Sequence, residues 1–174
     1  GGDVERSEPI FFTKAAETIV HSETQIPFPP NTKDLHHEVE LVVAMGPNGI
    51  FGYGVGIDMT RRDLQASAKS KGGPWDRSKS FRQSAPCSKL TPAGQVTMDK
   101  AHMVLRKNGE IVQSTCITNM IWTVNEIITR LTQDMDLQAG DLIYTGTPEG
   151  VGPVIAGDEL SGGIEGLERI TVRF

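Results

Sequence analysis

The segment His36-His37-Glu38-Val39-Glu40-Leu41-Val42-Val43-Ala44-Met45 constrains this chain more than any other. In a strand successive side chains point to opposite faces, so Glu38 and Glu40 share one face while Val39 and Leu41 take the other. The two carboxylates then stand roughly 6 to 7 Å apart and repel one another, in a residue type poorly suited to strands. Downstream, Val42 to Met45 is apolar without a break and reads as buried on both faces. Carboxylates beside such a run are costly unless paired or bound to a cation. Gly46-Pro47-Asn48-Gly49 separates this run from a second, so residues 38–45 and 50–57 are expected to form antiparallel neighbours joined by an Asn-Gly turn. Asp58 follows at once. Three carboxylates, Glu38, Glu40 and Asp58, are thus available to one hard metal ion; the plainer alternative is a solvated acidic face on an edge strand.

The rest of the pattern is mainly β. Ala101 to Lys107, Asn108-Gly109 and Glu110 to Thr115 predict a second hairpin. Asp141 to Thr145 reads as a strand running into the turn-rich Gly146-Thr147-Pro148-Glu149-Gly150-Val151-Gly152-Pro153, and Glu168 to Phe174 closes the chain as another. Pro27-Phe28-Pro29-Pro30-Asn31-Thr32 is a loop, since proline cannot donate to a ladder. Two helices are expected. Met59 to Lys69 is rich in Ala, Leu, Gln, Arg and Lys and is ended by Gly72-Gly73-Pro74, which leaves Asp58 at a strand-to-helix junction. Thr123-Val124-Asn125-Glu126 is a capping box ahead of the apolar stripe Val124, Ile127, Ile128 and Leu131. No repeat, low-complexity tract or linker divides the 174 residues. The expectation is a single domain of the α+β class, predominantly β, with two short helices.

Composition narrows the class of activity. A net charge of -5 with 22% charged residues is that of an ordinary globular protein, and nothing suggests a nucleic-acid partner. No apolar run approaches the ~20 residues of a membrane helix, and Gly1-Gly2-Asp3-Val4-Glu5-Arg6 has no signal pattern, so a cytoplasmic enzyme is expected. Cys87 and Cys116 lack the spacing of a zinc or redox site and are expected to be reduced thiols.

A helix starting at Asp58 would place Arg62 and Gln65 at i+4 and i+7, on one face. That set suits a small anionic substrate, with Arg62 forking onto a carboxylate and Gln65 supplying a neutral donor; equally, Asp58 and Arg62 could be an ordinary surface pair. Three carboxylates without a Cys or His pair at ligand spacing favour magnesium, with manganese or calcium next. His36 would share the face of the two glutamates and is read as scaffold rather than ligand. Lys79, between the aromatics Trp75 and Phe81, is either a surface charge passing apolar neighbours or, turned inward, a stabiliser of an enolate or oxyanion. The Gly146-to-Gly152 loop is not a phosphate loop; its glycines permit close approach to a ligand and Thr147 offers a hydroxyl, or it is a plain turn.

Several ordered blocks resemble the fumarylacetoacetate hydrolase family: His37-Glu38-Val39-Glu40-Leu41, Gly56-Ile57-Asp58-Met59-Thr60-Arg61-Arg62-Asp63-Leu64-Gln65, Lys71-Gly72-Gly73-Pro74-Trp75 with Lys79-Ser80-Phe81, Asn119-Met120-Ile121-Trp122, and Gly140 to Gly152. Ile26-Pro27-Phe28-Pro29-Pro30 ahead of Asp34-Leu35-His36-His37-Glu38 is most similar to the fumarylpyruvate hydrolase, acylpyruvase-like branch. The resemblance implies a mixed β-roll or sandwich catalytic domain spanning residues 1–174, usually a homodimer. It implies Mg2+ held by Glu38, Glu40 and Asp58, and an oxo-acid or dicarboxylate substrate held by Arg62, Gln65, Lys79 and Thr147, with Lys79 also catalytic. The implied reaction is hydrolysis of a C–C bond in an acylpyruvate, best matched by fumarylpyruvate in aromatic catabolism. Decarboxylation of oxaloacetate or isomerisation of 2-hydroxyhepta-2,4-diene-1,7-dioate would use the same groups. Asn119 stands where many members carry an acid. The family's short forms also carry an Asn-Tyr-x-x-His-x-x-Glu segment ahead of the block matching Ser7-Glu8-Pro9-Ile10-Phe11-Phe12, whose His and Glu activate water. These 174 residues do not include it, so the expectation is a domain lacking that lid, either as part of a longer chain or as an oxo-acid and metal-binding protein without turnover. His21 is a weak substitute base.

Overall fold

The structure is a computed structural model and describes residues 8–174. Of the Ser7-to-Phe12 block, Ser7 lies outside the described residues. In chain order the strands and helices are β1 (Ile19–His21), β2 (Thr24–Gln25), β3 (Leu35–His37), β4 (Val39–Gly46), β5 (Gly49–Ile57), β6 (Thr60–Arg61), α1 (Arg62–Lys71), α2 (Asp76–Lys79), β7 (Ala85–Cys87), β8 (Thr91–Pro92), β9 (His102–Lys107), β10 (Glu110–Cys116), α3 (Val124–Asp134), β11 (Leu142–Tyr144), β12 (Gly152–Val154), β13 (Glu159–Ile164) and β14 (Ile170–Arg173). Among the described residues no helix is long and apolar enough to cross a membrane.

Both expected hairpins form. β4 pairs with β5 from Val39↔Ile57 to Gly46↔Gly49, and β9 pairs with β10 across Asn108-Gly109, both at positive φ as a primed turn demands. The first turn is corrected in detail. Pro47 locks its own φ negative, so a primed Asn-Gly turn cannot be centred there; Gly49 alone takes positive φ, and the ladder shifts register between Ala44 and Met45.

Three sheets result. The first runs β1-β7-β5-β4-β11 with β8 added beside β5, the second β10-β9-β13-β14-β2, and the third, a short one, β12-β3-β6. The first two enclose one core in which Leu41, Val55, Ile57, Leu105, Leu160 and Ile170 are buried together. A smaller cluster forms where α3 lays Ile127 and Leu131 on Val43 and Ile143. Each such side chain contributes roughly 2 kcal/mol on leaving water. The capping box is present: Thr123 and Glu126 bond reciprocally. A one-turn helix, α2, makes three α-helices rather than two among the described residues, and α1 begins at Arg62 rather than near Met59 because Thr60 and Arg61 pair with β3. Phe11 and Phe12 form no strand; His21 ends β1. Cys87 and Cys116 are both free thiols.

Gly56 marks a tight contact between β5 and its surroundings. A Cβ there would lie 2.4 Å from Tyr144 Cε1 and 2.5 Å from Val42 Cγ2. Gly56→Ala is therefore expected to cost about 2 kcal/mol in urea unfolding, and Gly94→Ala, whose Cβ meets nothing within 4 Å, to stay within about 0.5 kcal/mol of the parent. Equal losses would contradict the packing described.

Candidate metal centre

β4–β5 and β3–β6 are two parts of one ribbon, interrupted at residues 38 and 58. Val39↔Ile57 belongs to the first sheet and His36↔Thr60 to the third, while between them Asp58 N donates to Glu38 O at 2.8 Å. Glu38 is thus in the break rather than within a strand. At this bend Glu38, Glu40 and Asp58 converge, one oxygen from each lying within 4.8 Å of the others. All three are buried, with 8%, 4% and 2% exposure. The solvated-face alternative is therefore excluded.

Cations gather on the same oxygens. Lys79, at the end of α2 and 2% exposed, donates to Glu38 Oε2 at 2.8 Å, Asp58 Oδ2 at 2.6 Å and the Thr60 hydroxyl at 2.6 Å. It is held there from behind, because Ser84 Oγ donates to the Lys79 carbonyl and Met59 N donates to Ser84 O. Lys79 is accordingly an inward group, not a surface charge. Arg62 donates to Glu38 Oε1 and, at 2.6 Å, to Gln65 Oε1. The expected Asp58–Arg62 helical spacing does not exist: Asp58 precedes β6, and Arg62 joins the site from the first turn of α1 through Glu38. Arg62 and Gln65 still share a face, one turn apart. His36 bonds Asp34 Oδ1 at 2.9 Å and faces Arg62 Nε at 3.4 Å, a supporting position.

A cleft of about 1270 Å³ opens on the carboxylates. Glu38, Glu40, Asp58, Lys14 and Thr147 line it; Arg62 and Lys79 bond the carboxylates and Gln65 bonds Arg62, none of the three lining it, and His21 does not line it either. The Gly146-to-Gly152 loop is no plain turn, since Gly146 N donates to Glu40 Oε2 at 2.7 Å.

A family model described as fumarylacetoacetate (FAA) hydrolase C-terminal matches residues 2–174. The chain belongs to the fumarylacetoacetate hydrolase family. A fumarylpyruvate hydrolase of a Ralstonia species is 42% identical, the match covering 99% of this chain and 96% of that one. The oxaloacetate tautomerase of Homo sapiens is 37% identical over 96% of this chain and 81% of its own. A crystal structure of fumarylpyruvate hydrolase from Pseudomonas aeruginosa in complex with Mn2+ and pyruvate superposes with a TM-score of 0.92 at 40% identity, covering 99% of this chain and 81% of that chain.

The electrostatics of this fumarylacetoacetate hydrolase family site favour a hard divalent cation. Burial, and then the neighbouring Asp58 charge, push the Glu40 carboxyl up to about 8. Burial also raises Glu38, but Lys79 and Arg62 outweigh it and hold that carboxyl below its usual range. Asp58 Oδ1 is buried with no hydrogen-bond donor among the described residues aligned on it, although the Lys14 ammonium lies 2.7 Å away as an ion pair. Lys14 also bonds the carbonyls of Met59 and Lys79, and burial lowers its pKa. An oxygen-only donor set, one glutamate that wants compensation and one unaligned carboxylate oxygen fit a hard divalent cation.

Sequence reasoning did not find Lys14, Thr60 or Gln113. Lys14 follows Phe11-Phe12-Thr13 in an irregular segment with no periodic signal, and Gln113 is a single amide in a strand. Between the ordinary carboxylate range and about pH 8 the folded chain without metal keeps the Glu40 proton that the unfolded chain has lost, so Glu40 makes stability fall as pH rises through that window. A metal ion held by Glu40 would have to displace this proton. Calorimetry in two buffers is expected to show about one proton released per metal ion at pH 7 and far less by about pH 9; no release at pH 7 would remove Glu40 from the ligand set.

Proposed function

We propose that this chain is a divalent-metal-dependent hydrolase that cleaves the C–C bond of an acylpyruvate, with fumarylpyruvate giving fumarate and pyruvate. The observation that carries the reading is the convergence of Glu38, Glu40 and Asp58 at the ribbon break. The Ralstonia fumarylpyruvate hydrolase, matched at 42% identity, supports the substrate. Glu38, Glu40 and Asp58 would hold the ion, magnesium first, with manganese or calcium as substitutes; the Pseudomonas relative in complex with Mn2+ supports manganese among these. When bound, the ion supplies Lewis-acid stabilisation of negative charge on the oxygens of the 2-oxo acid.

The protein groups divide the remaining work. Lys14, Lys79 and Arg62 balance the three carboxylates when all are ionised, so a divalent ion leaves a formal surplus of two positive charges. That surplus matches a dianionic substrate such as fumarylpyruvate. Arg62 exchanges its bond to Glu38 for the substrate carboxylate, Gln65 steadies the guanidinium through Nη1, and the Thr147 hydroxyl donates from the loop. Lys79, already fixed by Asp58 and Thr60, offers its ammonium to charge that develops as the bond breaks. The attacking water needs a base, which the resemblance assigns to the His and Glu of the lid segment. On the same resemblance the working form is a cytoplasmic homodimer.

The 37% identity to an oxaloacetate tautomerase favours a second reading, proton transfer or decarboxylation on oxaloacetate, which needs no attacking water. Turnover of fumarylpyruvate, acetylpyruvate, fumarylacetoacetate and oxaloacetate by full-length protein separates them. Fumarylpyruvate is expected to be fastest, with all activity lost on chelation; oxaloacetate alone being turned over would favour the second reading. Mg2+ should raise the melting temperature of the parent by mass action and leave Asp58→Asn unmoved. An equal shift in both would contradict the assigned ligands.

A further inference from the structure

Gln113 is buried in β10, at an irregularity in its pairing with β9, and its amide is engaged at every position. Oε1 accepts from Val39 N at 3.1 Å and lies 3.0 Å from His37 Nδ1; Nε2 donates to Thr147 Oγ1 at 2.9 Å and to Pro148 O at 3.0 Å. Neither end can be reversed. A backbone N–H only donates and a backbone carbonyl only accepts, so Val39 fixes where the amide oxygen sits and Pro148 fixes the nitrogen. Two protons are thereby placed. His37 carries its proton on Nδ1, and Thr147 accepts at Oγ1, which leaves the hydroxyl with its own proton to give.

Among the described residues nothing takes that proton, and Thr147 lines the cleft that holds Glu38, Glu40 and Asp58. The loop is pinned to β10 a second time: Gly150, at φ +95°, comes so close that a Cβ would lie 2.3 Å from Val112 O. Its other end is tied to Glu40 through Gly146 N. Gln113 therefore joins the loop to β4, the strand that carries Glu40.

We propose that Gln113 is a positioning residue, which fixes the Thr147 hydroxyl as a hydrogen-bond donor to an anionic oxygen of the bound oxo acid. This rests on the oxo-acid reading above. A hydroxyl that already accepts is polarised and gives its proton more readily, and one oriented before the ligand arrives loses less freedom on binding. An oxygen that can only accept, in a carboxylate or enolate, fits this donor; a ligand group that must donate at the same place does not.

Gln113→Glu separates this role from scaffolding. It keeps the oxygen for Val39 and His37 but turns the other end into an acceptor, so the Thr147 proton is drawn to residue 113. Calorimetric titration of Mn2+-loaded protein with pyruvate compares the parent, Gln113→Glu, Thr147→Val and the double variant. Each single change is expected to weaken pyruvate about tenfold, the size of one hydrogen bond to a charged group, and the double variant to be no weaker than the worse single one. Mn2+ affinity without pyruvate should change less than about threefold. The proposal is overturned if Gln113→Glu leaves pyruvate affinity intact, or weakens it equally with Val or Thr at position 147. Failure of the parent to bind pyruvate sinks the oxo-acid reading itself, and an unaffected Thr147→Val removes the Thr147 contact; these are different results from failure of the coupling. Should Gln113→Glu not fold, Gln113→Ala loses the same donors and is judged by the same comparison.

Discussion

Three buried carboxylates whose oxygens lie within 4.8 Å of one another can coexist only if positive charge is held against them. Much of the molecule answers this requirement. α2 exists as a single turn that ends in Lys79, and Ser84 anchors the segment behind it. α1 starts where Arg62 can reach Glu38, and the irregular segment after Glu8 brings Lys14 to Asp58. Removing one cation would leave buried charge uncompensated, a loss on the order of 3–5 kcal/mol. The group that remains least compensated is Glu40, pushed up to about 8, and it faces the cleft rather than a protein cation.

The ribbon break explains why the charges meet here. A continuous β4–β5 ladder would space Glu38 and Glu40 along one face. Interrupting it at Glu38 and Asp58, with one backbone bond between the two, lets the strands pass from the first sheet into the third and turns their carboxylates together. The Gly146-to-Gly152 loop closes over this bend by bonding Glu40 at one end and β10 at the other. Scaffold and site are therefore the same hydrogen bonds seen from two sides.

Local pattern made part of this legible in the sequence. Asn108-Gly109, the Thr123–Glu126 box and the run after Glu40 each act within a few residues, and each formed as expected. The three carboxylates were legible because two share a strand period and the third ends its partner. What failed was boundary and distance. Helical propensity after Asp58 was overridden by two residues of pairing with β3, which moved the start of α1 to Arg62. Pro47 shifted the first turn. Lys14 reaches a carbonyl 65 residues away and Gln113 a histidine 76 residues away, contacts that only the assembled fold creates. Family blocks supplied the roles that spacing alone left open for Lys79 and Thr147.

Electron paramagnetic resonance of Mn2+ added to this chain reports whether the three carboxylates hold an ion that meets the oxo acid. One Mn2+ per chain is expected, with a signal perturbed when pyruvate labelled at its carboxylate and oxo positions is added, and loss of the bound signal when Glu40 and Asp58 are replaced by their amides. Bound Mn2+ that survives those replacements, or a signal indifferent to pyruvate, would contradict it.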